Sequence, residues 1–229
     1  MRTTLLLSLL IIILSSCSKD NPAAPVTFVQ PKVGSTYYHD DYDTDTTSGM
    51  PIDSTRDTTV TTFTQVGTTF MGKTNVTVLS IEDKNGTSTN YLNYEANGDV
   101  SMYGGPEGSL KWLLLPVSSK STQSLTLADT TIDLYGVSMR TVVSMTTSYS
   151  GTESMSVKGQ ALSVVKLSQT ITYKLTVDTI TTSNTFNNYI YYAPSIGFIA
   201  KTEVPIQLSP FDRTKQNGQV ATLIDFILK

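Results

Sequence analysis

Val165-Lys166-Leu167-Ser168-Gln169-Thr170-Ile171-Thr172-Tyr173-Lys174-Leu175-Thr176-Val177 decides the fold. Val165, Leu167, Ile171, Tyr173, Leu175 and Val177 share one parity, broken only by Gln169, and polar side chains fill the other. Strand side chains alternate between two faces, so this pattern predicts one strand with a buried face and a wetted face. Its 13 residues exceed the usual strand length of about five or six, which predicts a large, curved sheet.

The rest of the chain agrees. Val220, Thr222, Ile224, Phe226 and Leu228 alternate less purely and predict the last strand. Further strands are expected near 35–44, 58–66, 74–82, 89–95, 131–147, 186–192 and 197–204. Asn85-Gly86 and Asn97-Gly98 read as hairpin turns of the primed type. Gly108 to Leu115 reads as a helical turn or a strand, ended either way by Pro116. The 229 residues include 37 Thr and 26 Ser, and only 15% are charged. Thr is a good strand former because its branched β-carbon stiffens χ1. A net charge of −3 excludes a strongly basic nucleic-acid binder, and the composition excludes a helical bundle. The expected class is all-β: one antiparallel, strongly curved sheet forming a half-barrel or barrel over 33–229, with a β-sandwich as the alternative.

Arg2 is a positive n-region, and Leu5 to Leu14 is apolar except for Ser8. This run is about half the length a membrane-spanning helix needs, so it predicts a secretory signal. It ends in Leu14-Ser15-Ser16-Cys17, and Cys17 is the sole cysteine. These residues resemble the lipobox of bacterial lipoproteins. The resemblance implies cleavage between Ser16 and Cys17, diacylglycerol on the Cys17 sulfur and acylation of the new N-terminus, which together anchor a chain stably. Residues 1–16 are then the signal peptide and 17–32 the lipidated, flexible tether. Ser18 is not the aspartate that retains some lipoproteins at the inner membrane, so outer-membrane localisation is expected, facing the periplasm or the cell surface.

Tyr191-Tyr192-Ala193-Pro194-Ser195-Ile196-Gly197-Phe198-Ile199, followed by Glu203, resembles a Tyr-Ala-Pro-Gly-aliphatic-Gly motif of secreted bacterial β-proteins. Val157 to Leu162 resembles their preceding hairpin, and Trp112 to Pro116 their apolar stretch ending in proline. The resemblance implies a lipocalin-like barrel or a half-barrel like the periplasmic lipoprotein carriers. Ser195 stands where the motif has glycine. Physically the segment is a turn between two strands.

Several patterns touch on chemistry. Gly67-Thr68-Thr69-Phe70-Met71-Gly72-Lys73-Thr74 satisfies the P-loop pattern. A P-loop must open a helix, yet Asn75-Val76-Thr77-Val78 continues as a strand, so no nucleotide is expected. Asp41, Asp43 and Asp45 carry the first spacings of a calcium loop. Thr46 stands where that loop needs glycine and Ile52 where it needs glutamate, so a solvated strand face is expected, with a weak calcium site as the alternative. His39 is the only histidine and no Gly-x-Ser-x-Gly elbow accompanies it. Nothing in the spacing of Glu82, Glu95, Glu107, Glu153 and Glu203 selects a catalytic pair. A non-enzymatic protein without cofactor is expected.

Five triplets resemble an O-glycosylation sequon of some Gram-negative bacteria: Asp, then Ser or Thr, then an aliphatic residue or Thr. They place candidate sugars on Thr46, Ser54, Thr58, Thr130 and Thr179, with 45–59 the most loop-like group. The expected function is an outer-membrane-anchored lipoprotein whose β-domain binds a lipid-like apolar or amphipathic ligand against its concave face, at Val165, Leu167, Ile171, Tyr173 and Leu175. The alternative is a structural or adhesive surface domain for carbohydrate or envelope proteins.

Overall fold

The structure, a computed structural model, describes residues 28–104, 110–209 and 214–229. Ser16, Cys17 and the signal peptide lie outside the described residues, as does Glu107. Twelve strands form one antiparallel sheet. In chain order they are β1 (Thr36–Thr44), β2 (Asp57–Phe70), β3 (Lys73–Asp83), β4 (Gly86–Tyr94), β5 (Val100–Gly104), β6 (Lys111–Leu115), β7 (Thr122–Leu134), β8 (Val137–Val157), β9 (Gln160–Val177), β10 (Ile180–Ala193) and β11 (Phe198–Val204). Two short strands, β12 (Gln207–Leu208) and β13 (Lys215–Gln216), pair with each other, and β14 (Gly218–Ile227) is the last of the main sheet.

Strand order is β6-β5-β4-β3-β2-β1-β14-β11-β10-β9-β8-β7. The first and last strands, β1 and β14, therefore lie side by side in the middle of the sheet. The outermost strands, β6 and β7, come together at a seam, so the sheet is nearly closed into a barrel. One sheet curling onto itself excludes the two-sheet sandwich.

Strands β1 to β6, β8 to β11 and β14 contribute side chains to one interior cluster. Tyr37, Phe63, Leu79, Leu92, Leu115, Leu167, Tyr192 and Leu223 are all at most 2% exposed and belong to one cluster. Tyr37, Phe63 and Phe198 pack ring against ring, with centroids 4.5 to 5.7 Å apart. The barrel is filled here by side chains.

The Tyr191-to-Ile199 segment forms a turn between β10 and β11, as expected, and it also packs on the core. Ile196 is buried in the main cluster. The Tyr37 and Tyr94 hydroxyls donate to the carbonyls of Ile196 and Gly197 at 2.7 and 2.9 Å. Ser195 has no positive φ, so the missing glycine strains nothing, whereas Gly197 sits at φ +69°. Residues 29–31, expected within the tether, lie against this turn: Val29 N–H donates to the Pro194 carbonyl at 2.9 Å.

Three expectations are corrected. Residues 131–147 are two strands, because Tyr135 and Gly136 both take positive φ and reverse the chain. The Asn85-Gly86 turn is centred one residue earlier: Asp83 pairs with Gly86, leaving Lys84 and Asn85 in the loop. Asn97 likewise has no positive φ, and only Gly98 does. The positive pairs that primed turns require occur at Met71-Gly72, Tyr135-Gly136 and Lys158-Gly159. Lys111 to Leu115 is a strand, which resolves the reading of Gly108 to Leu115 over its described part.

Candidate functional site

The inner face of the four long strands β7 to β10 can be followed rung by rung. Register places Met145, Ile171 and Phe186 opposite one another, and Val143, Tyr173 and Asn184 on the next same-face rung. Thr130, Thr141, Leu175 and Thr182 follow, and then Ile132, Met139, Val177 and Ile180. Towards the barrel the same face carries Leu167 and Ile190, which belong to the core.

Burial changes along this row. Val165 and Leu167 are 5% and 0% exposed and enclosed in the core. Ile171 and Tyr173 are half-buried beside Leu113, Leu127, Val143 and Met145, and Tyr173 meets Phe186 edge-on at 5.6 Å. Leu175 is 42% exposed, and Ile132 and Ile180 at the far rung are 51% and 71% exposed. The expected ligand face is thus corrected at its inner end. Val165 and Leu167 fill the barrel, while Ile171, Tyr173 and Leu175 lead outward onto a two-hairpin arm whose same face mixes apolar side chains with Thr130, Thr141 and Thr182. The other face of the arm is polar, with Arg140 holding Asp129 through two hydrogen bonds of 2.8 and 2.6 Å.

The acidic group on β1 is organised differently from a calcium loop. Asp41 and Asp43 line an open cleft of about 320 Å³ with Asp57 and Asp83. Asp41 accepts from the Thr59 hydroxyl, and burial raises its pKa. Asp45 lies beyond β1, where it accepts from the Thr47 and Ser48 amides at 3.0 and 2.8 Å and from the Ser48 hydroxyl. These bonds hold its carboxyl below the usual range. Asp45 is therefore a turn cap. Among the described residues no group of three or more His, Cys, Asp or Glu is placed to hold a metal ion.

His39 is buried, donates from Nε2 to the Ile199 carbonyl at 2.9 Å, and meets the Phe198 ring edge-on. Burial pushes its pKa down. Glu95, Glu153 and Glu203 are each ion-paired, with Lys73, Lys166 and Lys201 respectively. The P-loop-like Gly67-to-Thr74 segment is the β2–β3 hairpin: Phe70 pairs with Lys73 across the Met71-Gly72 turn. A helix N-terminus, which phosphate binding needs, is not there. Of the candidate glycosylation positions, Ser54, Thr58, Thr130 and Thr179 are exposed and Thr46 is half-buried. Ser54 sits in a short 3-10 turn, Thr58 in β2, Thr130 in β7 and Thr179 in the β9–β10 turn.

No protein-family model matches the chain, and no curated protein matches it. Three solved structures resemble it. A lipoprotein candidate from Parabacteroides distasonis is 12% identical with TM-score 0.49, over 88% of this chain and 99% of its own. An exported-protein candidate with YmcC-like fold from Bacteroides fragilis is 12% identical with TM-score 0.40, over 88% and 99%. The hypothetical lipoprotein YmcC from Escherichia coli is 10% identical with TM-score 0.38, over 84% of each chain.

Proposed function

We propose that this chain is a lipoprotein of the bacterial outer membrane, anchored through Cys17, whose β-barrel is a non-enzymatic binding module for an apolar or amphipathic ligand. The Leu14-Ser15-Ser16-Cys17 lipobox supports the anchor. The observation that carries the binding reading is the inner face of β7 to β10. Beyond the polar rung of Thr147, Gln169 and Asn188 that follows the filled core, it presents half-buried Ile171 and Tyr173 and then exposed Leu175, Ile132 and Ile180, with threonines between them. An acyl chain lying along these rungs removes apolar surface from water at roughly 25 cal/mol per Å².

Native mass spectrometry of the mature chain from Ser18, followed by solvent extraction, tests the binding reading. A stoichiometric co-purifying lipid that is lost on Leu175→Asp, with the fold retained, supports it. A bare mass that stays unchanged after incubation with envelope lipids refutes it. Metabolic labelling with an alkyne fatty acid tests the anchor separately, through a label that Cys17→Ala abolishes.

A further inference from the structure

The outer face of β2 to β6 carries four aromatic side chains that the apolar inner face does not use. Phe70 and Tyr91 stack with centroids 3.7 Å apart and planes 7° from parallel. Tyr103 stands edge-on to Phe70 at 5.1 Å, and Trp112 stands edge-on to Tyr103 at 5.4 Å. Trp112 alternates with Leu113 and Leu115, whose side chains are in the interior, so its ring is outside. The indole N–H donates to the Met71 carbonyl at 3.0 Å, which fixes the ring against the β2–β3 turn.

Beside Trp112 opens a cleft of about 530 Å³, lined also by Lys73, Glu95, Asn97, Ser101 and Leu114. Glu95 accepts from the Lys73 ammonium and, at 2.5 Å, from the Ser101 hydroxyl. Lys73 also lies 5.6 Å from the centre of the indole ring. Asn97 donates to Asp99 at 2.9 Å and accepts from the Asp99 amide at 3.0 Å. The polar groups are therefore held in place before any ligand arrives. They also keep capacity in reserve, since a carboxylate offers about four acceptor sites, an ammonium three donors and a primary amide two.

From this arrangement we infer a saccharide-binding site at Trp112, Lys73, Glu95 and Asn97. A rigid aromatic wall beside a ring of donors and acceptors matches a ligand with C–H faces and hydroxyl edges. Lys73 neutralises Glu95, so the cleft carries no cationic excess to attract phosphate or a polyanion. A purely apolar ligand would strip water from these polar groups without replacing it, and each group left unsatisfied opposes such binding. The cleft volume falls in the usual range for small-molecule sites, about 300–1,000 Å³. The site lies on the opposite face of the sheet from the proposed lipid row, so the two readings stand or fall separately.

Trp112 is the only tryptophan and borders both this cleft and the smaller one at the β6–β7 seam, so its emission reports ligand binding and the variants at Glu95 and Asn97 assign it to this cleft. The mature chain is titrated with chitotetraose and with maltotetraose. The inference requires a saturable emission shift with at least one of them, with Kd below about 1 mM. Glu95→Gln and Asn97→Ala each weaken that binding at least about tenfold, or about 1.4 kcal/mol. Asn97→Ala guards against a folding defect at Glu95, and saturation-transfer NMR on the sugar protons gives a readout independent of the indole. No shift with either sugar up to about 10 mM, or a shift that both variants leave unchanged, overturns it. A shift produced only by inorganic polyphosphate or by phospholipid vesicles also overturns it.

Discussion

Lys111 on β6 donates from its ammonium to the Thr126 carbonyl on β7 at 2.7 Å, directly across the line where the sheet meets itself. Beneath that contact Leu113 packs with Leu127, Val143 and Met145. A cleft of about 110 Å³, bordered by Leu114, Gln123 and Leu125, runs beside it. The seam is thus held by side chains, whereas neighbouring strands elsewhere share backbone ladders.

Amide hydrogen exchange should follow that difference. Strand edges open at lower free energy than interior strands, so β6 and the adjoining part of β7 are expected to exchange faster than β1 and β14. Lys111→Ala should speed exchange over 111–115 and 122–128 and leave β1 unchanged. Uniform acceleration through the sheet would contradict a locally opening seam.

The division of the inner face into packed core and exposed arm gives a second test. Leu167→Ala removes a fully buried side chain and should cost about 2–5 kcal/mol in urea unfolding. Leu175→Ala, on the same strand face but 42% exposed, should cost less than about 0.5 kcal/mol. Similar losses at the two positions would mean that the arm is packed as tightly as the barrel.

His39 and Asp41 act on stability in opposite senses. Burial lowers the His39 pKa from 6.5, so the unfolded chain takes up the proton first. The stability contribution of neutral His39 is present above pH 6.5 and is lost as pH falls below it. His39→Gln should flatten that loss in urea titrations carried out as pH falls below 6.5.

Asp41 has its pKa raised from 3.8, chiefly by burial, with Asp57 and Asp40 adding to the effect. The folded chain holds this proton more tightly, so the favourable contribution is complete below pH 3.8 and fades as pH rises through the folded value. At neutral pH the charged carboxylate is a burden. Asp41→Asn should therefore stabilise the protein at pH 7 by on the order of 1 kcal/mol or less, given its partial exposure. The gain should vanish below pH 3.8. A destabilised Asp41→Asn at pH 7 would show that the Thr59 hydrogen bond outweighs desolvation.

Gly197 and Ser195 make a paired test two residues apart. A Cβ on Gly197 would lie 2.0 Å from the Val29 carbonyl oxygen, at a φ of +69° that disfavours side chains. Gly197→Ala should lower the melting temperature and free residues 29–31 to limited proteolysis. Ser195→Gly should change the melting temperature little, by no more than the few degrees that about 1 kcal/mol of backbone entropy represents.

The legible part of this sequence was its strand periodicity. Val165 to Val177 lies wholly inside β9, on the faces its parity predicts. Periodicity gives the face of a residue and not its depth. Leu167 and Leu175 look alike in the chain, and only the curl of the other strands covers the first and leaves the second open. Turns were harder to read. Met71-Gly72 and Lys158-Gly159 lack the asparagine or aspartate that usually marks a primed pair, while the two Asn-Gly steps serve other geometries. The β7–β8 break at Tyr135-Gly136 was hidden in the same way. The aromatic cluster left no linear trace, because Phe70, Tyr91, Tyr103 and Trp112 sit on four strands and meet only through register. The one signal available was that Trp112 has the opposite parity from Leu113 and Leu115.

The entry of the chain at one end of β10 gives the molecule a near pole and a far pole. Val29 is fastened beside Pro194, whereas the Ile180 tip lies at the other end of this strand of 14 residues, about 45 Å away along its length. Eleven residue steps separate Cys17 from Phe28 and span at most about 40 Å when fully extended. Under the proposed anchor, a barrel standing upright holds its greasy fingertips farther from the bilayer than its leash is long. Ligand exchange would then be handed across a gap to a facing surface, and shortening the leash would move the site of that exchange without touching a single contact within the barrel.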